Sequence, residues 1–227
     1  MLEWNLYPDI AAASSLQMAL QGEFDRTGHS LEVLRSQSPG WRDVGAVVSV
    51  KDRSIDVVMG SQERVFTVQF WAHEVYVAHG GTSQLAAVAE SIRLWLSGTQ
   101  LERLNAACPF VEFDPWSEAY ERGEGIEFRW QDYLTNPHQE RQLTALHSFI
   151  AAAIHQPRLR ALYPFTSMGT LGFRPTVHYT YSEGPRVRPI GDDRYLVLGP
   201  EQQEVGIADA AGSVELALTV LDAIAEQ

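Results

Sequence analysis

The residues best suited to chemistry lie in and after the stretch YPFTSMGTLGF, residues 163–173. Thr166 and Ser167 offer two hydroxyl groups within it. Arg174 directly precedes a proline, which holds its backbone extended and restricts the directions of its side chain. A guanidinium group fixed in this way suits a carboxylate or an enolate better than a neutral sugar. We therefore expect Arg174 to belong to a ligand-binding pocket where a helical layer meets a sheet.

The segment that follows, residues 176–181, alternates in the manner of a β-strand. His178 could act as an acid or base near neutral pH, and Tyr181 could donate a hydrogen bond to an enolate or phenolate oxygen. An ordinary half-exposed strand with one polar side explains the same pattern and is the favoured interpretation. The predicted ligand-binding residues are Thr166, Ser167, Arg174, His178 and Tyr181.

No motif for a metal or a nucleotide cofactor is present. The seven histidines form no HxxxH or HExxH pattern and have no cysteine at ligand spacing. The chain also lacks a GxSxG nucleophile elbow, a GxxxxGK[ST] loop and a complete dinucleotide-binding glycine motif. Cys108 has apolar neighbours, which favours an inert buried thiol over a nucleophile. The sequence therefore predicts no metal and no cofactor.

Composition excludes several partners and places the chain in a compartment. The formal net charge of -12 argues against nucleic acid, since phosphate binding needs clustered basic residues. No apolar run is long enough to span a membrane, and the first residues lack the pattern of a signal peptide. A single cysteine suits a reducing compartment. We therefore expect an acidic cytoplasmic protein.

The order of the elements predicts an α+β fold with two antiparallel sheet-plus-helix units joined by a helical middle segment. A run of strands between residues 45 and 78 precedes a helix that Ser83 would cap, and a second run between 170 and 208 precedes a helix that Ser213 would begin. Strands in runs disfavour a parallel βαβ arrangement. The predicted divisions are 1–113, 114–165 and 166–227, which could still form one compact domain.

Two internal similarities suggest a repeat, although chance explains them about equally well. Residues 74–92 and 204–224 share the order strand, turn, serine and helix, while RLNAACPF and RLRALYPF share the pattern RLxAxxPF. The second pattern predicts that Pro109 and Pro164 each end a short helix and that Phe110 and Phe165 are largely buried. YPFTS would then be a hinge from helix to strand, with a pocket at its edge as the alternative.

Three segments carry a resemblance to a known family. LAAVAESIRLWLSGTQLERLNAACPFVEF, AYERGEGIEFRWQDYL and PRLRALYPFTSMGTLGF together resemble the DUF6193 family of actinobacterial natural product biosynthesis proteins, over roughly residues 65–200. The Pro-Phe-Thr-Ser run at 164–167 is its most specific piece, and a chain whose only lysine is Lys51 suits a GC-rich host. The resemblance implies a gene-cluster context and no particular reaction.

Two classes of function remain open. The favoured one is an accessory protein of natural product biosynthesis that binds a partner protein, a peptide or a small-molecule intermediate without catalysis, and a homodimer is compatible with it. The alternative is a small enzyme of isomerase or cyclase type that needs neither metal nor nucleotide and uses His178, Tyr181 and the Thr166–Ser167 loop. A closed cavity around His178 would favour the enzyme, and a flat apolar sheet face would favour the binding module.

Overall fold

The structure of the chain is a computed structural model that describes residues 4–38, 40–137, 141–177 and 184–226, without the side chains of Arg141 and Gln142. The chain divides into two units, Met1–Glu121 and Arg122–Gln227. Each unit contains an antiparallel sheet with helices, so the predicted α+β class is confirmed. The segment predicted as a helical connector, 114–165, is divided between the two units.

Two short helices open the first unit, α1 (Pro8–Ala13) and α2 (Leu16–Thr27). In the sequence, Pro8 near the first turn and Gly22 after the last predict a single helix over residues 8–21. The chain instead breaks at Ser14, which adopts a left-handed conformation, and Ser15 begins α2 by accepting a hydrogen bond from the Met18 amide. Gly22 lies inside α2, which ends at Gly28 with a φ of 75°.

The sheet of the first unit is a meander of six strands in the order β1 to β6. The strands are β1 (Val33–Arg35), β2 (Gly45–Val50), β3 (Arg53–Met59), β4 (Phe66–Ala72), β5 (Val75–Thr82) and β6 (Val111–Glu112). The run of strands predicted from alternation corresponds to β2–β5. Its buried face carries Val48, Ile55, Val57, Val68 and Phe70, which are fully buried.

A β-bulge changes the exposed face of β5. The register of β5 against β4 shifts between Phe70 and Trp71, which leaves Val77 as an extra residue. Val75 and Val77 are buried, whereas His79 is exposed. The alternation of the sequence alone wrongly places His79 on the face of Val75 and Val77, because it assumes an uninterrupted strand.

Three helices complete the first unit: α3 (Leu85–Leu96), α4 (Leu101–Ala107) and α5 (Pro115–Glu121). The helix α3 packs on β2–β5, with the Trp95 ring edge-on to Phe70 at 5.9 Å. Its N-cap is Gln84 rather than the predicted Ser83. Asp114, which precedes Pro115 in the manner of an N-cap, caps α5, since its Oδ1 accepts a hydrogen bond from the Ser117 amide at 2.7 Å.

The second unit begins with α6 (Gly125–Thr135), α7 (Arg141–Ala153) and α8 (Pro157–Arg160), and it ends with α9 (Ala210–Ala225). The helix α9 packs on the sheet formed by its preceding strands, as α3 does in the first unit. This shared packing was predicted and is confirmed. Asp209, not Ser213, is the N-cap of α9, because its Oδ1 accepts a hydrogen bond from the Gly212 amide.

The second sheet is also an antiparallel meander, in the order β11-β10-β9-β8-β7. Its strands are β7 (Tyr163–Ser167), β8 (Thr170–Arg174), β9 (Arg186–Gly191), β10 (Arg194–Leu198) and β11 (Glu204–Ala208). The predicted strand at 176–181 is contradicted at Thr176 and Val177, which lie in a bend. The proline before them stiffens this part of the chain. Residues 178–181 lie outside the described residues.

The stretch YPFTSMGTLGF forms the β7–β8 hairpin rather than a helix-to-strand hinge. Met168 and Gly169 connect the strands, with φ values of 48° and 80°, as a two-residue hairpin turn requires. Pro164 is accommodated because β7 is an edge strand, where a missing amide hydrogen breaks no ladder. Phe110 and Phe165 have intermediate exposure, so each is partly covered without belonging to the fully buried core.

Candidate functional site

The sequence-predicted site residues do not form one cluster. Thr166 lies opposite Leu171 and so shares the face of the sheet that Leu171 buries in the core. Ser167 shares the other face with Arg174, but it is exposed at the turn end of the hairpin, about 13 Å away at the usual rise per residue. The structure thus separates both hydroxyl groups from Arg174. His178 and Tyr181 lie outside the described residues.

Arg174 itself lies at the end of β8 on the face opposite the core. It pairs across the strands with Tyr163, and its guanidinium carbon is 4.9 Å from the centroid of the Tyr163 ring. The same carbon is 5.1 Å from the centroid of the Phe165 ring. Guanidinium groups stack favourably on aromatic rings at such distances. The two rings of β7 therefore form a platform that holds the cation.

A glycine makes room for this platform. Phe165 lies directly opposite Gly172, and a Cβ atom on that glycine would come within 2.5 Å of the Phe165 Cζ. The ring therefore occupies the space that any other side chain would take. This close approach explains how the half-buried Phe165 ring reaches Arg174.

A second arginine, Arg186, occupies the next strand on the same face. It lies opposite Gly172 and is half-buried, as Arg174 is. Since Arg174 is two residues along β8 from Gly172, the two arginines are diagonal neighbours, with Cα atoms expected about 7–8 Å apart. The exposed face of β7–β9 thus carries two guanidinium groups beside two aromatic rings.

Neither arginine is neutralised by the part of the chain that the structure describes. The Nε atoms of Arg174 and Arg186 are buried and have no hydrogen-bond acceptor among the described residues. No described carboxylate lies within 4.0 Å of either group, although acidic residues greatly outnumber basic ones in this chain. A polar group buried without a partner typically costs about 1–3 kcal/mol, and more when it is charged. An acceptor supplied from outside the chain would recover this free energy.

A third arginine supports the platform instead of adding a free charge. Arg129 of α6 donates a hydrogen bond from Nε to the phenol oxygen of Tyr163 at 3.1 Å, and its Nη1 lies 3.6 Å from a carboxylate oxygen of Asp132. Its charge is therefore partly balanced. The hydrogen bond fixes the position of the ring on which Arg174 stacks.

The arrangement suits anion binding. Arginine presents paired N–H donors that match a carboxylate or a phosphate in two parallel hydrogen bonds.

Within the described ranges, no group of three or more His, Cys, Asp and Glu side chains could hold a metal ion. Cys108, in the first unit, is buried, and this burial raises the pKa of its thiol, which opposes a nucleophilic role.

Three residues of the site were not predicted from the sequence: Phe165 as a platform, Gly172 and Arg186. Each becomes significant only through its partner on a neighbouring strand, and β9 is separated from β8 by the segment 175–185. An alternating pattern identifies which residues of one strand share a face, but not which residues of another strand face them.

Comparison with known proteins adds a family but no activity. None of the helices in the described part of the chain combines the length and the hydropathy needed to span a bilayer. No curated protein and no solved structure matches the chain. Residues 124–224 match the family of unknown function DUF6193. That match includes the arginine site, all of PRLRALYPFTSMGTLGF and most of AYERGEGIEFRWQDYL, and it excludes the segment before residue 114. The family match therefore falls within the second unit, of which residues 124–224 make up nearly all.

Proposed function

We propose that the second unit is a binding module for an anionic ligand, with Arg174 and Arg186 as its counter-charges. One observation carries this proposal: two half-buried guanidinium groups on one sheet face have Nε atoms without an acceptor among the described residues. A fold that keeps such groups bears their desolvation cost in the free state. Binding of an anion would turn that cost into affinity and selectivity.

The surroundings favour an organic carboxylate. The partly exposed ring of Phe165 offers apolar surface beside the cations, which suits an anion attached to an apolar or aromatic body. A net charge of -12 disfavours polyanions at long range, so a singly charged group fits better than a nucleic acid or a polyphosphate. The ligand class is therefore a carboxylate-bearing small molecule, or the carboxylate of a peptide or partner protein.

The biological setting we propose follows from the resemblance and the composition. We propose a cytoplasmic accessory role in actinobacterial natural product biosynthesis, a setting that would contain carboxylate-bearing intermediates. A homodimer is compatible with such a role. A non-catalytic role is preferred because the two arginines supply recognition and charge but no acid, base or nucleophile. The isomerase or cyclase alternative depends on His178 and Tyr181, so it stays a prediction.

A thermal-shift titration with sodium benzoate tests the proposal. The carboxylate of benzoate can pair with both guanidinium groups while its ring packs on the platform. Benzamide, which has the same shape without the charge, is the ligand control, and sodium chloride keeps the ionic strength constant. At about 20 mM, benzoate that binds with a Kd of about 1 mM would stabilise the folded state by about 2 kcal/mol.

Arginine variants locate the effect. We expect benzoate, but not benzamide, to raise the melting temperature of the unmodified protein. The double variant Arg174→Gln/Arg186→Gln should lose this rise. Arg158→Gln is the matched control, because Arg158 is an exposed arginine of the same unit paired with Asp222 at 2.6 Å, and it should keep the rise. An equal rise in the double variant, or none in the unmodified protein, would refute the proposal.

A further inference from the structure

A groove lies on the exposed face of the first unit's sheet, apart from the arginine site of the second unit. It encloses about 510 Å³ between strands β2–β4 and the loop that follows β1. Ligand pockets typically fall between about 300 and 1,000 Å³, so the groove could hold a small molecule. Its wall is formed by Ser36, Gln37, Ser38 and Trp41, and its floor includes Val47, Asp56, Val58 and Gln69.

The floor has a single carboxylate at its centre. Asp56 of β3 lies between Val47 of β2 and Gln69 of β4 in one row across the strands. Val58, two residues along β3, lies on the same face. No cationic side chain in the described part of the chain lies within 4.0 Å of Asp56. Burial raises the pKa of this carboxyl, which agrees with a half-buried acid that lacks a counter-charge.

Aromatic side chains accompany this acid. Trp41 stands in the wall of the groove with 49% of its surface exposed. The indole Nε1 of Trp71 lies near this carboxyl and offsets part of the rise in its pKa. The same Nε1 makes no hydrogen bond of standard geometry to any described residue. The carboxylate thus has one incomplete donor and no cation.

The wall that carries Trp41 is held by backbone hydrogen bonds. The Trp41 amide donates to the Ser38 carbonyl at 3.1 Å, and the Gly45 amide donates to the Trp41 carbonyl at 2.8 Å. A Cβ atom at Gly45 would lie 2.9 Å from the Ser36 Cβ, so the wall packs closely on the start of β2. The Leu16 amide also donates to the Asp43 carbonyl, which ties the loop to α2. These hydrogen bonds fix the backbone of the loop, so little backbone entropy would be lost on binding.

We propose that this groove binds an organic ammonium ion, that is, a protonated amine carried on an apolar body. The amine would pair with the Asp56 carboxylate, and the apolar body would pack against Val47, Val58 and the Trp41 ring. Indole is the aromatic side chain that attracts cations most strongly. The net charge of -12 also draws a cation towards the surface. A bare metal ion fits poorly, because one carboxylate provides too few ligands for calcium or magnesium.

Calorimetric titration with phenethylamine tests the proposal at neutral pH, where the amine is protonated. The alcohol 2-phenylethanol, which has the same body without the charge, is the ligand control. We expect phenethylammonium to bind at least about tenfold more tightly than the alcohol, since one charge-assisted pair in a half-buried site provides that difference. Equal affinity of the two ligands would show an apolar groove only and would overturn the ammonium assignment.

Four variants complete the test. Asp56→Asn should weaken phenethylammonium binding at least about tenfold and leave the circular dichroism spectrum unchanged. Trp41→Ala should weaken the binding of both ligands. Asp43→Asn, which alters an exposed carboxylate of the same loop, should bind as the unmodified protein does. Arg174→Gln/Arg186→Gln should also bind phenethylammonium normally, so failure of this proposal is distinct from failure of the benzoate proposal. Unchanged affinity in Asp56→Asn would refute it.

Discussion

Each unit contains a half-buried arginine that stacks on an aromatic ring, and the two arginines differ in everything else they contact. In the first unit, the guanidinium carbon of Arg53 lies 3.9 Å from the Trp95 ring centroid. Its Nη1 donates to the carbonyl oxygens of Trp95 and Thr99 at 3.0 and 2.8 Å, and its Nη2 lies 3.6 Å from a Glu121 carboxylate oxygen. In the second unit, Arg174 has the aromatic platform and none of these partners among the described residues.

The comparison separates a structural cation from a binding cation. Arg53 joins β3, the end of α3 and the end of α5, and its hydrogen bonds and ion pair offset the cost of burying a charge. Arg174 has a fixed position but an incomplete set of partners. Stacking on a ring is therefore no guide to function by itself, whereas the missing acceptors are.

The largest expected effect concerns stability. Arg53→Gln should destabilise the first unit by about 2–4 kcal/mol, because it removes the cation paired with Glu121 and the donor to two carbonyl groups. Arg174→Gln should change stability by less than about 0.5 kcal/mol, or increase it slightly, because it removes an uncompensated charge. Urea unfolding measures both values, and amide hydrogen exchange assigns each change to a unit.

Similar losses of stability in Arg53→Gln and Arg174→Gln would contradict the distinction between a structural and a binding arginine. A loss of about 2 kcal/mol or more in Arg174→Gln would make that residue structural, whatever its partners. A negligible loss in Arg53→Gln would show that a full set of acceptors does not mark a stabilising arginine. Arg158→Gln again provides the baseline for an exposed pair.

A smaller expected effect is the pH dependence of stability that comes from Asp56, the acid in the groove of the first unit. Because burial raises the folded-state pKa of Asp56 above its unfolded value, the neutral form is favoured in the fold. Its contribution to stability is fully present below the unfolded pKa, about 4, and is lost as pH rises through the folded pKa. The other titratable groups in its row across the sheet are His79 and Glu112, and Gln69 separates them from Asp56.

Asp56→Asn removes the titrating carboxyl and therefore this loss of stability at higher pH. As pH rises above about 4, the unfolded pKa, its stability should therefore decline less than that of the unmodified protein. Urea unfolding at several pH values measures the difference, and Asp43→Asn serves as the control. Parallel pH profiles for Asp56→Asn and the unmodified protein would show that Asp56 is well solvated or paired.

The meanders were predictable because local chemistry determines them. The runs of alternating apolar residues gave β2–β5 and β8–β11, and turn residues marked their ends. The run Gly191-Asp192-Asp193 is typical of a turn, and both aspartates adopt positive φ values, near 50°, as a tight hairpin requires. Asp114 before Pro115 likewise identified the start of α5.

The remaining errors have physical causes that a single segment does not reveal. The bulge at Val77 reverses the orientation of His79, because register is set by the neighbouring strand. Pro164 indicates a break in most contexts, but it is tolerated on an edge strand, and edge position is a property of the whole sheet. Of the predicted site, Arg174 alone among its described members lies in the cluster. Arg186 was missed because pairing between strands brings it there.

The most direct test of the anion site observes the two guanidinium groups themselves. Arginine labelled with ¹⁵N gives a signal for each Nε–Hε group, and single Gln variants assign the signals of Arg174, Arg186, Arg53 and Arg158. During titration with sodium benzoate, we predict saturable shifts of the Arg174 and Arg186 signals while those of Arg53 and Arg158 stay constant. Signals of Arg174 and Arg186 that do not move, or uniform small shifts of all four, would contradict the account.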